Sequence, residues 1–237
     1  MPPKLTKEYV TIHRDILVER MISEHKSALR VVAACPEEQL GYKQHERNRT
    51  FAEIAQHIFL TGPFFVGAIE AGVFPNMGDG KEPAPPTKKA ALLAACEAMA
   101  KQAEEGTRKL SVKQLMGVLD FMGMCAFPAI EYLQWHLNHL IHTRAQLTSA
   151  LRTMGAKVPP VYGPSADTTE EEMGQLMAEM KAASDAAAPA PTKRQRAATK
   201  RPRAAVKNAP KKAVRAKASS AARKGRGAKS AARGGRR

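Results

Sequence analysis

The chain has little of what would place it in several common classes. Its 237 residues include three cysteines, one tryptophan and only 5% aromatic residues. Cys35, Cys96 and Cys125 are odd in number, far apart and in no C-x-x-C pair. That spacing excludes a disulfide framework and a zinc ribbon, and it reads as the reduced thiols of a cytoplasmic protein. No G-x-G-x-x-G, Walker loop, G-x-S-x-G elbow or internal repeat occurs, so the motifs of nucleotide binding and serine hydrolysis are missing. No segment alternates as a strand does. The N-terminus has no signal-like apolar stretch, and no run approaches the ~18 apolar residues of a membrane span, so neither export nor membrane insertion is expected. Acidic residues stop at Asp185.

What is present divides the chain by charge. Of the 38 Lys and Arg residues, 18 lie beyond residue 187, and the other 20 share the rest of the chain with all 22 Asp and Glu. The net +16 is therefore a property of the tail, and the remainder carries about −2, as expected of an ordinary folded domain.

Up to residue 187 the punctuation is helical. Ile12, Ile16, Leu17, Met21, Ala28 and Val32 recur at helical spacing from about Lys7 to Ala34, and Pro36 ends that helix. Thr50 and Glu53 form a capping box for a second helix, which Gly62-Pro63 should bend or end. Phe74 to Pro86 reads as a long loop, and Thr87 as the cap of a third helix reaching about Glu105. Ser111 to Met124 has no clear pattern. Pro128 opens a fourth helix whose Leu133, Leu137, Leu140, Leu147, Leu151 and Met154 form one stripe, with Gly155 as the stop. A fifth helix starts at Thr168 or Thr169 and fades near Ala186. The expected fold class is all-α, a four-helix bundle with extra helices, organised as a bundle over 1–170, a helix and linker over 171–187 and a basic tail over 188–237.

The histidines carry the chemistry. At about 100° per residue, His136, His139, Thr143 and Gln146 share a stripe bordering the leucines of the fourth helix, and His142 lies on its shoulder. His57 sits among Ile54, Ala55, Ile58 and Phe59, an apolar setting for an imidazole. A divalent ion such as zinc or nickel needs neutral imidazoles converging at ~2.1 Å, which bundles supply from facing helices. The bland alternative is interior histidines satisfied by hydrogen bonds. Trp135 reads as core or dimer interface.

The run Gly41-Tyr42-Lys43 with Arg49-Thr50-Phe51-Ala52-Glu53-Ile54-Ala55-Gln56-His57-Ile58, joined to Asn138-His139-Leu140-Ile141-His142-Thr143-Arg144-Ala145-Gln146-Leu147 and Leu151 to Pro159, resembles the DinB-like (DinB/YfiT) family over about residues 7–170. The resemblance implies a four-helix bundle, often dimeric, with a metal held by one histidine of the second helix and two on the last, four residues apart. Carried over, those positions are His57, His139 and Thr143. The third is a departure, since a threonine hydroxyl is a poor ligand for zinc or nickel. His142, one residue earlier, is the substitute, so the metal candidates are His57, His139 and His142. The family includes thiol-dependent transferases. It implies an open coordination position for Lewis-acid chemistry. No catalytic acid or base stands out beyond Glu53, which the capping box already explains, and His136. Arg144 and Gln146 match the family's Arg-x-Gln and are expected to support packing.

From Ala188 onward the chain is mostly Ala, Lys, Arg, Pro, Gly and Ser, with Val206 and Val214 the only larger apolar groups. Such a composition cannot offset the entropy of ordering and is expected to be disordered. Its basic residues, Lys193, Arg194, Arg196, Lys200, Arg201, Arg203, Lys207, Lys211, Lys212, Arg215, Lys217, Arg223, Lys224, Arg226, Lys229, Arg233, Arg236 and Arg237, resemble the tails of histone-like linker proteins. They are expected to bind nucleic acid without reading sequence, because no aromatics are present for stacking. No apolar face suits a membrane. Three functions fit: a bundle tethered to nucleic acid (cytoplasmic or nucleoid-associated), a metal-dependent thiol transferase or hydrolase that the tail only localises, and a homodimer presenting two tails. With about 8 phosphates neutralised, log affinity for DNA should fall with log salt at a slope near −7. A chain lacking residues 188–237 should leave DNA mobility unshifted; an equal shift would contradict the assignment.

Overall fold

The computed structural model describes residues 5–76 and 82–187. The basic tail, 188–237, lies outside them. Six helices and one hairpin are formed: α1 (Lys7–Ala33), α2 (Phe51–Ala71), α3 (Lys89–Lys109), α4 (Val112–Met116), β1 (Val118–Phe121), β2 (Cys125–Pro128), α5 (Ala129–Thr153) and α6 (Glu170–Ala187).

Local chemistry sets most of the boundaries. The Thr6 hydroxyl accepts from Tyr9 N–H at the start of α1. Thr50 and Glu53 close the expected capping box on α2, and Thr169 and Glu172 exchange the same bonds before α6. After α5, Gly155 takes φ +76° and Ala156 N–H returns to the Leu151 carbonyl, a glycine stop that a side chain would strain. The residue before α3 is Lys88, with no side-chain cap, so Thr87 does not serve as expected.

Two expectations are corrected. First, α2 does not end at Gly62-Pro63 but continues to Ala71. Gly62 is there for close approach: a Cβ on it would lie 2.6 Å from Ala103 Cβ and 3.1 Å from His136 Nε2. Burial of α2 between its neighbours outweighs the ~3 kcal/mol cost of an interior proline. By length and composition α2 could cross a membrane, but 61% of that window is buried in the bundle, as in a core helix. Second, 118–128 is an antiparallel hairpin, with Val118 opposite Pro128 and Phe121 opposite Cys125. Its three-residue connection, Met122 to Met124, places Met122 at φ +55° and Gly123 at φ +73°, and Met124 N–H bonds the Phe121 carbonyl. Burial alternates along β1, with Val118 and Asp120 exposed and Leu119 buried, but the sequence Val-Leu-Asp-Phe puts two apolar residues side by side and hides it. Tyr132 pins the hairpin to α5, donating to the Leu119 carbonyl and accepting from Phe127 N–H.

The helices α1, α3, α2 and α5 pack in that order around a ring. Arg14 with Leu110 and His25 with Glu104 make α1 and α3 antiparallel. The pairs Ala55–Cys96 and Gly62–Ala103 make α2 and α3 parallel. Parallel neighbours need a connection that travels back the length of a helix, about 30 Å for 21 residues. Residues 72–88 make that return, and its course positions the site described below.

The core lies in two apolar clusters, one around Val32, Phe51, Phe59, Leu92, Leu147 and Leu151, the other around Leu17, Met21, Phe65, Leu115, Tyr132 and Leu133. Polar groups occupy the gap between them: Glu24 and His25 from α1, Thr61 from α2, Glu104 from α3 and His136 from α5. Nearby, Arg144, 3% exposed, pairs with Glu24, while the Tyr162 hydroxyl donates to the other Glu24 oxygen and its ring stacks under the guanidinium. This triad fastens the segment after α5 to α1. Removing one partner strands a buried charge, so Arg144→Met should destabilise the chain by about 3–5 kcal/mol in urea unfolding, whereas Arg144→Met with Glu24→Leu should cost much less.

Candidate functional site

The antiparallel pair α2 and α5 meets once per turn. Phe65 stacks on Tyr132 with centroids 6.3 Å apart, Thr61 meets His136 Nδ1 at 3.2 Å, and His57 meets His139, Nε2 to Nε2, at 3.0 Å. The last contact is the centre of the site. Thr143, one turn along α5, places Oγ1 3.4 Å from His139 Nε2. Two imidazoles on one tetrahedral zinc at ~2.05 Å stand roughly 3.3 Å apart, close to the spacing found here.

Returning along the bundle, the connection from α2 to α3 brings Glu82 to the far side of His57, where Oε1 accepts from Nδ1 at 2.7 Å. Arg49 grips the same carboxylate with both terminal nitrogens, at 3.1 and 3.3 Å, and Gln56 holds the strap by donating to the Pro83 carbonyl at 2.6 Å. With its Nδ1 proton given to Glu82, His57 turns an Nε2 lone pair toward His139. A carboxylate behind a histidine is the arrangement that orients imidazole ligands and raises their basicity. His139 titrates far below the ordinary imidazole range, at about 4, first through burial and then through the adjacent His57, His142 and Arg49. It is therefore neutral, the form a metal requires.

The donors fit a divalent ion incompletely. Two nitrogens and a hydroxyl converge, and among the described residues no three His, Cys, Asp or Glu form a metal cluster. His142 lines the same hollow as His57 and His139, but Gln146 donates to its Nε2 at 3.1 Å on the exposed side of α5. Neither a thiolate nor a disulfide contributes: burial pushes the Cys35 thiol up to about 11 and Cys96 to about 12, and all three cysteines are free.

Deeper in the bundle, His25 donates from Nδ1 to Glu104 at 2.8 Å. Thr61, whose hydroxyl donates to the Ile58 carbonyl, accepts from His136 Nδ1. Both Nε2 atoms are buried without a hydrogen-bond partner. Burial lowers both pKa values, His136 to about 3, so the pair stays neutral. The stripe predicted on α5 is thus graded, with His136 and Thr143 buried, His139 half-buried and Gln146 exposed.

Beside the histidine pair opens a pocket of about 420 Å³, walled by Leu60, Phe64, Phe65, Phe121 and Trp135. Trp135, expected in the core or a dimer interface, is not in the core of the chain: it is 37% exposed and stands edge-on to Phe121 and Phe127. Sequence reasoning missed Glu82, Thr61 and the pocket. Glu82 carried a faint signal as an acid in the Pro-rich loop, but its partner depends on the crossover. Glu53, by contrast, is the capping residue, held below the usual carboxylate range by Thr50 N–H and hydroxyl.

The DinB family model matches residues 11–176. Among solved structures, a DinB-like protein from Bacillus subtilis superposes with a TM-score of 0.53 at 19% identity, over 62% of this chain and 96% of that one. Another from Bacillus cereus gives a TM-score of 0.53 at 22% identity, over 62% and 95%. No curated protein matches the chain.

The buried imidazoles tie stability to pH. Folded His136 binds its proton only near pH 3, while the unfolded residue does so at about 6.5. Below that value the unfolded state takes up more protons, so stability falls as pH drops from about 6.5 toward 3. His136→Gln should flatten this fall, by on the order of 2 kcal/mol between pH 7 and 5, in urea titrations at each pH.

Proposed function

The chain belongs to the DinB family, and we propose that its bundle holds one divalent ion, zinc or nickel, between His57 and His139, with the Thr143 hydroxyl at the third position. The observation that carries this reading is the 3.0 Å approach of two Nε2 atoms while Glu82 occupies the Nδ1 of His57. At that distance a neutral His139 can donate an Nε2 proton to the His57 lone pair, and a cation between the two nitrogens would take that proton's place. Arg49 and Glu82 hold His57 in place from outside. Two imidazoles bind far more weakly than three, and they leave coordination positions for water or a ligand. When bound, the ion would supply Lewis-acid polarisation of a thiol or carbonyl group.

In this reading the basic tail serves location. Residues 188–237 hold the bundle on DNA or RNA through phosphate contacts. The pocket against the pair favours a second reading on one point: a small molecule could be brought to the ion, as in a metal-dependent thiol transferase or hydrolase.

Elemental analysis of the full chain, purified without a histidine tag, should find near one zinc or nickel per chain, lost in both His57→Ala and His139→Ala. Equal metal in these variants and the parent would reject the site. Thr143→His should complete a three-imidazole set and tighten zinc by at least 10-fold in competition with a chromophoric chelator, whereas Thr143→Ala should weaken it by less than that.

A further inference from the structure

The pocket beside the histidines has walls the metal reading does not use. On α2, His57, Leu60, Thr61 and Phe64 follow one another at i, i+3, i+4 and i+7; on α5, Trp135, Asn138 and His139 do the same. The two rows face each other across the cavity, and Phe121 of the hairpin closes one end. Phe64, Phe65, Phe121 and Trp135 therefore make a rigid aromatic box. Phe65 is fixed by Phe74 and Tyr132, and Trp135 by Phe127 and Tyr132. Thr61 is held with its hydroxyl proton on the Ile58 carbonyl and its oxygen facing His136.

The distribution of polarity is uneven. The polar lining is His57, His139, Glu82 and the Asn138 amide; the rest is apolar apart from Thr61, whose hydroxyl is taken up by Ile58 and His136. At about 420 Å³ the cavity falls in the ~300–1,000 Å³ range of small-molecule sites and is bounded by two helices and a hairpin. An aromatic wall left half-exposed beside a polar end selects an amphiphile: the body gains apolar burial and edge-to-face contacts, and the head replaces water at the histidines.

We propose that this pocket binds a small molecule with a flat aromatic or compact alkyl body and a single oxygen or sulfur head. The body lies between Leu60, Phe64 and Trp135, and the head points at His57 and His139. This assignment rests on the metal reading for its head alone. The body's site consists of side chains that no ion requires.

Trp135 is the chain's single tryptophan, which gives the test its reporter. The probe is 1-anilinonaphthalene-8-sulfonate, titrated into the full chain with excitation of Trp135. Expected are saturable energy transfer at one probe per chain and at least 10-fold weaker binding in Leu60→Glu and in Asn138→Phe, with zinc content unchanged in both. Asn138 is exposed, so its variant retains the fold if Leu60→Glu does not. His57→Ala should lose zinc yet keep probe affinity within about 3-fold. The head is tested by displacement: on the zinc-loaded chain, 2-naphthohydroxamic acid should compete at least 10-fold better than 2-naphthamide, and the two should be equal in His57→Ala. Absence of saturable transfer, or affinity in both pocket variants equal to that of the parent chain, overturns the proposal even if metal is present. Probe binding without metal would leave the pocket standing and remove the ion.

Discussion

The register of α2 against α5 is the constraint on which the rest of this structure depends. Three contacts, one per turn, fix it: Phe65 on Tyr132, Thr61 on His136 and His57 on His139. A slip of one residue would swing every one of these side chains about 100° around its helix and separate all three pairs. Gly62 is what allows the helices to come this close, since a Cβ there would enter Ala103 and crowd His136. The site is thus a by-product of packing: the two apolar clusters set the register, and the register brings two imidazoles together nitrogen to nitrogen.

The same packing determines the surroundings of the pair. Because α2 and α3 run parallel, the chain must return along the bundle, and that return lays Glu82 against His57. Electrostatics then follows from position. His139, half-buried beside Arg49, is neutral above about pH 4, and His136, fully buried between the two clusters, stays neutral to about pH 3. The two histidines stand three residues apart on α5, yet one faces the open hollow with a lone pair to offer and the other is sealed against Gly62.

Much of this was legible in the residues. The capping box at Thr50 and Glu53, the leucine stripe of α5, the Gly155 stop and the approach of His57 to the α5 histidine face all follow from local rules and periodicity. What was not legible is non-local. Pro63 reads as a break because the cost of an interior proline is local, while the burial that outweighs it comes from α3 and α5. The hairpin was missed because its strands are four residues long and its connection is Met122-Gly123-Met124 rather than Asn-Gly. Trp135 reads as core or dimer interface on residue type, and in the chain it stands beside the hairpin on the wall of a pocket. Thr143 was visible as a departure from the family pattern, and it sits on the His139 nitrogen as that pattern implies.

The central claim is that His57 and His139 alone supply the nitrogen ligands of a divalent ion. X-ray absorption at the zinc edge, on the loaded full-length chain, tests it most directly because scattering from imidazole rings can be counted. The account predicts two imidazoles at ~2.0–2.1 Å with oxygen filling the remaining positions. Sulfur in the shell, or a number of imidazoles other than two, would contradict it.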